Sequence, residues 1–336
     1  IFYAESIEKL VDNLSEIHPH FMVSVPRIFE KVYERVMSQV DSGSPIKKAL
    51  FQWAILIGSQ VAGNRIKGKS VSMLDSLQYL LASQLVFGKI RQKMGGCLDF
   101  CISGGAPLSR EINEFFNAVG IRILEGYGLT ETSAAVACNS LEDSKVGTVG
   151  QIMEGVQLKI AKDGEIVVKG EVVFHGYYKS PEATKEVLTE DGWFQTGDVG
   201  EVDEDGYLRI TDRKKDIIVT AAGKNIAPQN IENLIKTDKY ISQVVVLGDK
   251  RKFLSALIPL NKHEIVNYAK VAELKIDDYA KLVQSPQVHD LIKRIIDDKN
   301  KKLARFESVK KFAILENDFS QESGELTPTL KVKRRF

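Results

Sequence analysis

The stretch "LDFCISGGAPLSREINEFFNAVGIRILEGYG", residues 98–128, decides the fold. "LDFCIS" reads as a strand, "GGAPLS" as a tight turn, and "REINEFFNAV" as a helix with Ser109 as candidate N-cap and Gly120 as its stop. "IRILEGYG" reads as a second strand. Strand, helix and strand within roughly 30 residues make a βαβ unit, hence a parallel sheet whose loops collect at the C-terminal ends of its strands. Ligands of open α/β sheets bind at that edge. Both glycine clusters, "SGG" and "EGYG", fall there.

Upstream, Leu10, Val11 and Leu14, then Ile28, Val32 and Val36, recur at helical spacing on either side of "VSVPR". Pro26 favours an extended residue before it, so "FMVSV" is expected as a short buried strand feeding a helix at Pro26. "VDSGSPIKK" reads as a polar loop, with helices following over Lys48 to Val61 and Ser72 to Met94. Downstream, from Val146 to Thr211, short strands alternate with hairpin bends at Asp163-Gly164 and Asp205-Gly206, which predicts a small antiparallel barrel or sandwich. After the charge cluster "DRKKD", strands, a helix at "PQNIENLIK" and long charged helices from Asn261 to Ala304 predict an α+β domain. The expected division is therefore 1–145, 146–212 and 213–336: a partial α/β domain with a parallel or mixed sheet, a small antiparallel β part, and a smaller α+β domain.

Composition excludes several functions. Of 336 residues, 46 are basic and 45 acidic, so the net charge of +1 offers no field for nucleic acid. No apolar run approaches the roughly 18 residues that span a bilayer, and no signal peptide is visible, so an intracellular, cytoplasmic setting is expected. The helices after Asn261 carry charge on most faces, which argues against membrane attachment through them. A weak peripheral membrane contact and the oligomeric state stay open. Three cysteines without CxxC spacing suggest neither disulfides nor zinc. His18 and His20 stand two apart without a further nearby ligand, so a solvated loop is favoured over a metal site.

Chemistry concentrates in a few segments. In "LEGYGLTETSA", residues 124–134, Gly126 and Gly128 allow close backbone approach, Tyr127 offers a flat face for a base, and the Thr130 and Thr132 hydroxyls suit phosphate oxygens. Glu131 offers a hard oxygen for Mg²⁺. The same residues would also serve as a plain glycine-rich turn with a core tyrosine. Gly104, Gly105 and Ala106 form either a bare strand-to-helix turn or a flat peptide surface for a base. Asp198, set between glycines, suits a ribose diol, and Arg213 close by suits phosphate or ribose, though a hairpin turn and a solvated charge run would look alike. Lys331, near the end of "GELTPTLKVKRRF", could act as a mobile point charge. There is no Walker A, GxSxG or HExxH motif.

In their order and spacing, "SGGAPL", "GYGLTET", "GWFQTGD", "DRKKDIIVTAAGKNIAPQNIE" and "LTPTLK" resemble the adenylate-forming enzymes, specifically long-chain fatty acyl-CoA synthetases. The VPR-anchored helix near the start looks like the same branch. The resemblance implies that Gly104, Gly105 and Ala106 line an adenine pocket, with Tyr127 stacking on the base beside Gly126 and Gly128. It implies that Thr130 contacts the α-phosphate, Glu131 holds Mg²⁺, and Asp198 binds the ribose with help from Arg213. Lys215 matches a hinge, Gly223 a loop of the pantetheine channel, and Lys331 the lysine that serves adenylation. The implied reaction converts a fatty acid and ATP to an acyl-adenylate and then to a thioester with CoA, releasing AMP.

One departure stands out. The loop that grips the β- and γ-phosphates should precede "FYAESIEKL", and "DSGSPIKK" imitates it only superficially. These residues are therefore expected to be the C-terminal portion of a synthetase about twice as long, inactive or nearly so alone. A short-chain or aryl-CoA ligase, a peptide-synthetase adenylation module, and a non-catalytic nucleotide-binding remnant are the alternatives.

Overall fold

The computed structural model describes residues 1–6, 9–66, 68–276, 278–327 and 332–334. They form two compact units: Ile1–Thr196 with Gly200–Ile210, and Gly197–Val199 with Thr211–Phe336.

The first unit opens with α1 (Leu10–Ile17), β1 (Phe21–Ser24), α2 (Pro26–Asp41), α3 (Pro45–Ile66), α4 (Met73–Ala82) and α5 (Gly88–Lys93). A π turn over Ser83–Phe87 joins α4 to α5. Then come β2 (Phe100–Ser103), α6 (Arg110–Val119) and β3 (Arg122–Leu129), the βαβ unit expected from the sequence. With β4 (Ala134–Cys138) and β5 (Gln151–Ile152) they build a five-stranded sheet in the order β1-β2-β3-β4-β5. The first three strands are parallel and the last two antiparallel.

Helix packing holds this sheet. On α6, Ile112, Phe115, Phe116 and Val119 recur every three or four residues and are all buried. Phe29 of α2 meets Phe116 edge-on at 5.6 Å, and Tyr33 meets Phe115 at 5.0 Å. Each such ring contributes roughly 1.5–3 kcal/mol by leaving water, more than helix propensity supplies. The turns beside these elements are fixed by what they pack against.

Two expectations need correction here. "FMVSV" is not a buried strand: β1 is an edge strand, and Phe21 and Val23 are 57% and 67% exposed on its open face. Ser109 is the N-cap of α6, as expected, without a side-chain capping bond. "VDSGSPIKK" is a loop only in part, because Pro45 begins α3. Proline is well placed at a helix start, where its missing N–H costs nothing.

β6 (Val156–Ile160), β7 (Glu165–Gly170), β8 (Phe194–Val202) and β9 (Leu208–Arg213) form a four-stranded sheet in chain order, with α7 (Pro181–Val187) between β7 and β8. The bends at Gly164 and Gly206 lie where the sequence placed them. This is the small antiparallel β part expected, and an antiparallel bridge between Gln151 and Tyr207 joins it to the end of the five-stranded sheet.

The second unit begins with the hairpin β10 (Ile218–Val219) and β11 (Asn225–Ile226), followed by α8 (Pro228–Ile235). β12 (Val245–Leu247), β13 (Leu254–Pro259) and β14 (Val309–Leu315) form its three-stranded sheet, and α9 (Lys262–Val271), α10 (Tyr279–Val283) and α11 (Pro286–Asn300) lie between β13 and β14. Ile231, Ile235, Leu254, Ile258, Ile265 and Ile292 share one core.

Candidate functional site

β2 ends at Ser103, in register with Glu125 of β3, which runs on to Leu129. The Gly104-Gly105-Ala106 turn therefore leaves the end of β2 beside Gly126-Tyr127-Gly128, which, contrary to the expected strand-end turn, lies within β3 and pairs with β4. A Cβ on Gly104 would lie 3.6 Å from the Gly126 carbonyl oxygen. Gly105 has φ +82 and is exposed, a left-handed turn residue with open space around it. Gly128 has another reason to be glycine: a Cβ there would sit 1.6 Å from the Ala134 carbonyl oxygen. The register of β3 against β4 shifts between Tyr127 and Gly128, and β4 crowds onto that bulge. Tyr127 is half-buried and packs against the core of Val136, Ala137, Ile166, Val168 and Leu208.

Beneath this corner lies a buried polar network absent from the sequence reading. Glu125 is 6% exposed, and its carboxylate accepts from the Leu108 N–H at 3.3 Å and from Asn113 Nδ2 at 3.1 Å. Burial pushes its carboxyl up to about 7, opposed by those two donors. Asn139 donates to the Glu125 carbonyl oxygen from its backbone N–H at 3.0 Å and from Nδ2 at 3.3 Å. One residue thus ties the end of the "SGGAPL" turn to the root of "GYG". Beside it, the Ser103 hydroxyl is buried without a hydrogen-bond partner among the described residues.

Thr130, Glu131 and Thr132 form a single 3₁₀ turn after β3. Thr130 is exposed, whereas Thr132 is fully buried and its hydroxyl accepts from the Leu129 N–H at 2.9 Å and reaches the Ala134 carbonyl at 3.0 Å. Thr132 therefore shapes the turn. Glu131 Oε1 accepts from the Tyr177 hydroxyl at 2.9 Å, and the Phe174 N–H donates to the Glu131 carbonyl at 2.8 Å. Tyr177 escaped the sequence reading. The aromatic cluster "FHGYY" was the only available hint.

In the second unit, Asp198 and Arg213 meet as the sequence suggested. Arg213 Nε lies 3.1 Å from Asp198 Oδ1, with the carboxylate buried and the guanidinium side chain 44% exposed. The backbone braces the pair: Lys214 N–H donates to the Gly197 carbonyl at 2.8 Å and Thr211 Oγ1 to the Val199 carbonyl at 3.0 Å. Asp212, buried next to Arg213, accepts from the Arg213 N–H at 2.7 Å and the Gln229 N–H at 3.1 Å. Burial raises its carboxyl. Lys215 is exposed in the turn Lys214–Asp216 that follows β9, and Gly223, at φ +73, sits at the exposed tip of the β10–β11 hairpin. Lys331 lies outside the described residues. His18, read as a solvated loop residue, has Nδ1 2.5 Å from the Gly95 carbonyl oxygen.

Residues 2–178 match the AMP-binding enzyme family, and residues 215–335 match the AMP-binding enzyme C-terminal domain. The chain belongs to the AMP-binding enzymes. It is 40% identical over 337 residues to the long-chain-fatty-acid–CoA ligase FadD15 of Mycobacterium bovis, covering 99% of this chain and 55% of that one. To the rat long-chain-fatty-acid–CoA ligase ACSBG2 it is 36% identical, covering 97% and 52%. The chain thus spans about half the length of the curated relatives it matches. Among solved structures, the adenylation domain of a carboxylate reductase from Mycobacterium chelonae superposes with a TM-score of 0.72 at 25% identity, covering 98% of this chain and 46% of that one. The carboxylic acid reductase A-PCP didomain of Segniliparus rugosus, in complex with AMP, gives 0.68 at 22% identity over 99% and 42%. The likeness is one of fold: this chain has a mixed α/β unit and a smaller C-terminal unit.

Proposed function

We propose that these residues form the C-terminal part of an enzyme that activates a long-chain fatty acid with ATP and transfers it to CoA. The observation that carries this reading is the juxtaposition of the glycine turn after β2 with the Gly126-Tyr127-Gly128 stretch of the neighbouring strand β3, followed by Thr130 and Glu131, in a chain 40% identical to a long-chain-fatty-acid–CoA ligase. Gly104, Gly105, Ala106 and Gly126 expose backbone for an adenine edge, and Tyr127 supplies a ring face. The Ser103 hydroxyl, buried and unpartnered beside the turn, adds a polar group a ligand atom could satisfy.

Thr130 would hold the α-phosphate. Asp198 would accept from the ribose hydroxyls, its orientation set by Arg213. Glu131 is a single carboxylate, and no group of three or more potential metal ligands exists among the described residues. That donor set suits Mg²⁺, which keeps waters and phosphate oxygens and needs only one or two carboxylates. When bound, Mg²⁺ would neutralise phosphate charge.

In the first half-reaction a carboxylate oxygen bonds to the α-phosphorus as the bond to the bridging oxygen breaks, releasing pyrophosphate. Lys331 would neutralise the developing charge. In the second, the CoA sulfur bonds to the acyl carbon, AMP leaves, and the thiol proton passes to solvent. Gly223 would flank the pantetheine arm, and a turn at Lys215 would exchange the two arrangements.

Acid-dependent exchange of labelled pyrophosphate into ATP, run on the full-length protein across acids of increasing chain length, tests this. Exchange that rises with chain length and peaks among long-chain acids is expected. Exchange best with short or aromatic acids would point instead to one of the other adenylating ligases.

A further inference from the structure

One segment of chain holds Glu131 at two points. The Tyr177 hydroxyl donates to Glu131 Oε1 at 2.9 Å, and the Phe174 N–H donates to the Glu131 carbonyl oxygen at 2.8 Å. Both residues lie between β7 and α7, and that stretch is itself braced. The Phe174 ring meets Tyr177 edge-on at 4.9 Å and the buried Phe194 ring of β8 at 5.5 Å. The Tyr177 N–H donates to Thr184 Oγ1 at 2.9 Å, and that hydroxyl donates to the Ser180 carbonyl at 3.0 Å. Gly176 has φ +143, and a Cβ there would lie 2.7 Å from Thr184 Cγ2, so glycine lets the loop run this close to α7.

Tyr177 is 37% exposed, so water could satisfy its hydroxyl, and leaving this bond unmade would strand no buried group. What the bond supplies is direction. A glutamate side chain has rotamer freedom that must be frozen when it takes a ligand, at a cost of up to roughly 2 kcal/mol. With Oε1 already engaged, that cost falls on folding and not on binding. Glu131 makes no other side-chain hydrogen bond or ion pair among the described residues, which leaves Oε2 for a ligand. Burial, and after it the bond to Glu131, raise the Tyr177 hydroxyl above its ordinary pKa, so it stays protonated and donating near neutrality.

We propose that Tyr177 is a positioning residue that holds the Glu131 carboxylate in the orientation that binds the divalent cation accompanying ATP. This rests on the reading of Glu131 as the Mg²⁺ carboxylate. A group that hydrogen-bonds a metal-binding side chain fixes its orientation and tunes its basicity, and losing one typically weakens metal affinity roughly ten- to a hundredfold. The Phe174 N–H fixes the backbone of the turn, and the Tyr177 hydroxyl fixes the side chain that the turn presents.

The test measures by calorimetry how tightly the full-length protein binds a non-hydrolysable ATP analogue, with and without saturating Mg²⁺, for the parent, Y177F, E131Q and the double variant. Y177F keeps the ring against Phe174 and removes only the hydroxyl. It is expected to weaken binding of the Mg²⁺-loaded analogue about tenfold, while binding of the metal-free analogue stays within about twofold of the parent. E131Q is expected to lose more of the Mg²⁺-dependent gain than Y177F. Adding Y177F to E131Q should cost less than about twofold further, because the hydroxyl acts only through the carboxylate. Parental binding of the Mg²⁺-loaded analogue in Y177F, equal weakening with and without metal, or full additivity of the two substitutions would overturn the assignment. A full Mg²⁺-dependent gain in E131Q would instead overturn the reading of Glu131 itself, which Y177F alone could not do.

Discussion

At Glu125 the fold keeps a carboxyl where water does not reach, and the cost depends on pH. Its folded pKa stands at about 7 against an ordinary 4.5. Between those values the folded state still holds a proton that the unfolded chain has released. Stability contributed at this site is therefore present below the unfolded pKa and is lost as pH rises toward 7. At about 1.4 kcal/mol per pKa unit the loss is on the order of 3 kcal/mol. Urea unfolding across this window should show the parent weakening with pH relative to E125Q, which cannot titrate. A constant difference between the two would contradict the buried-carboxyl account. Single residues were unevenly legible: Asp198 and Arg213 were brought together by the family resemblance, since charge alone read equally as a hairpin turn and a solvated run, and Glu125 carried no local signal at all. Only the register with Ser103 and the reach of the Leu108 N–H reveal it.

At the scale of elements, periodicity did most of the work. The βαβ unit, the Pro26 helix and the two hairpin bends were readable because each rests on local pattern. What failed depended on distant partners: β1 looked like a core strand and proved to be an edge. Tyr177 reaches Glu131 from 46 positions away, a pairing no local pattern records. The β3–β4 bulge gives a sharp element-scale prediction. Since a Cβ at position 128 would fall on the Ala134 carbonyl, G128A must push the two strands apart and is expected to cost about 3 kcal/mol. G126A meets chiefly the Cys138 sulfur at 3.3 Å and should cost much less. Chemical denaturation of both variants decides it, and equal stabilities would refute the crowding argument.

For the whole molecule, sequence order was the strongest signal. Motifs that are ambiguous singly, since each has an ordinary turn as its alternative, became informative together, and the family match extends over both units. No helix of the described residues is long and apolar enough to cross a membrane. The residues proposed for adenine and phosphate lie in the first unit, and Asp198, Arg213, Lys215 and Gly223 in the second. The proposed two-step reaction through an acyl-adenylate would draw on both sets. The most direct test is to supply the full-length protein with fatty acid labelled by heavy oxygen in its carboxylate, together with ATP and CoA, and to weigh the AMP by mass spectrometry. One labelled oxygen transferred to each AMP is the predicted result. Label absent from AMP, or ADP in place of AMP, would contradict an acyl-adenylate.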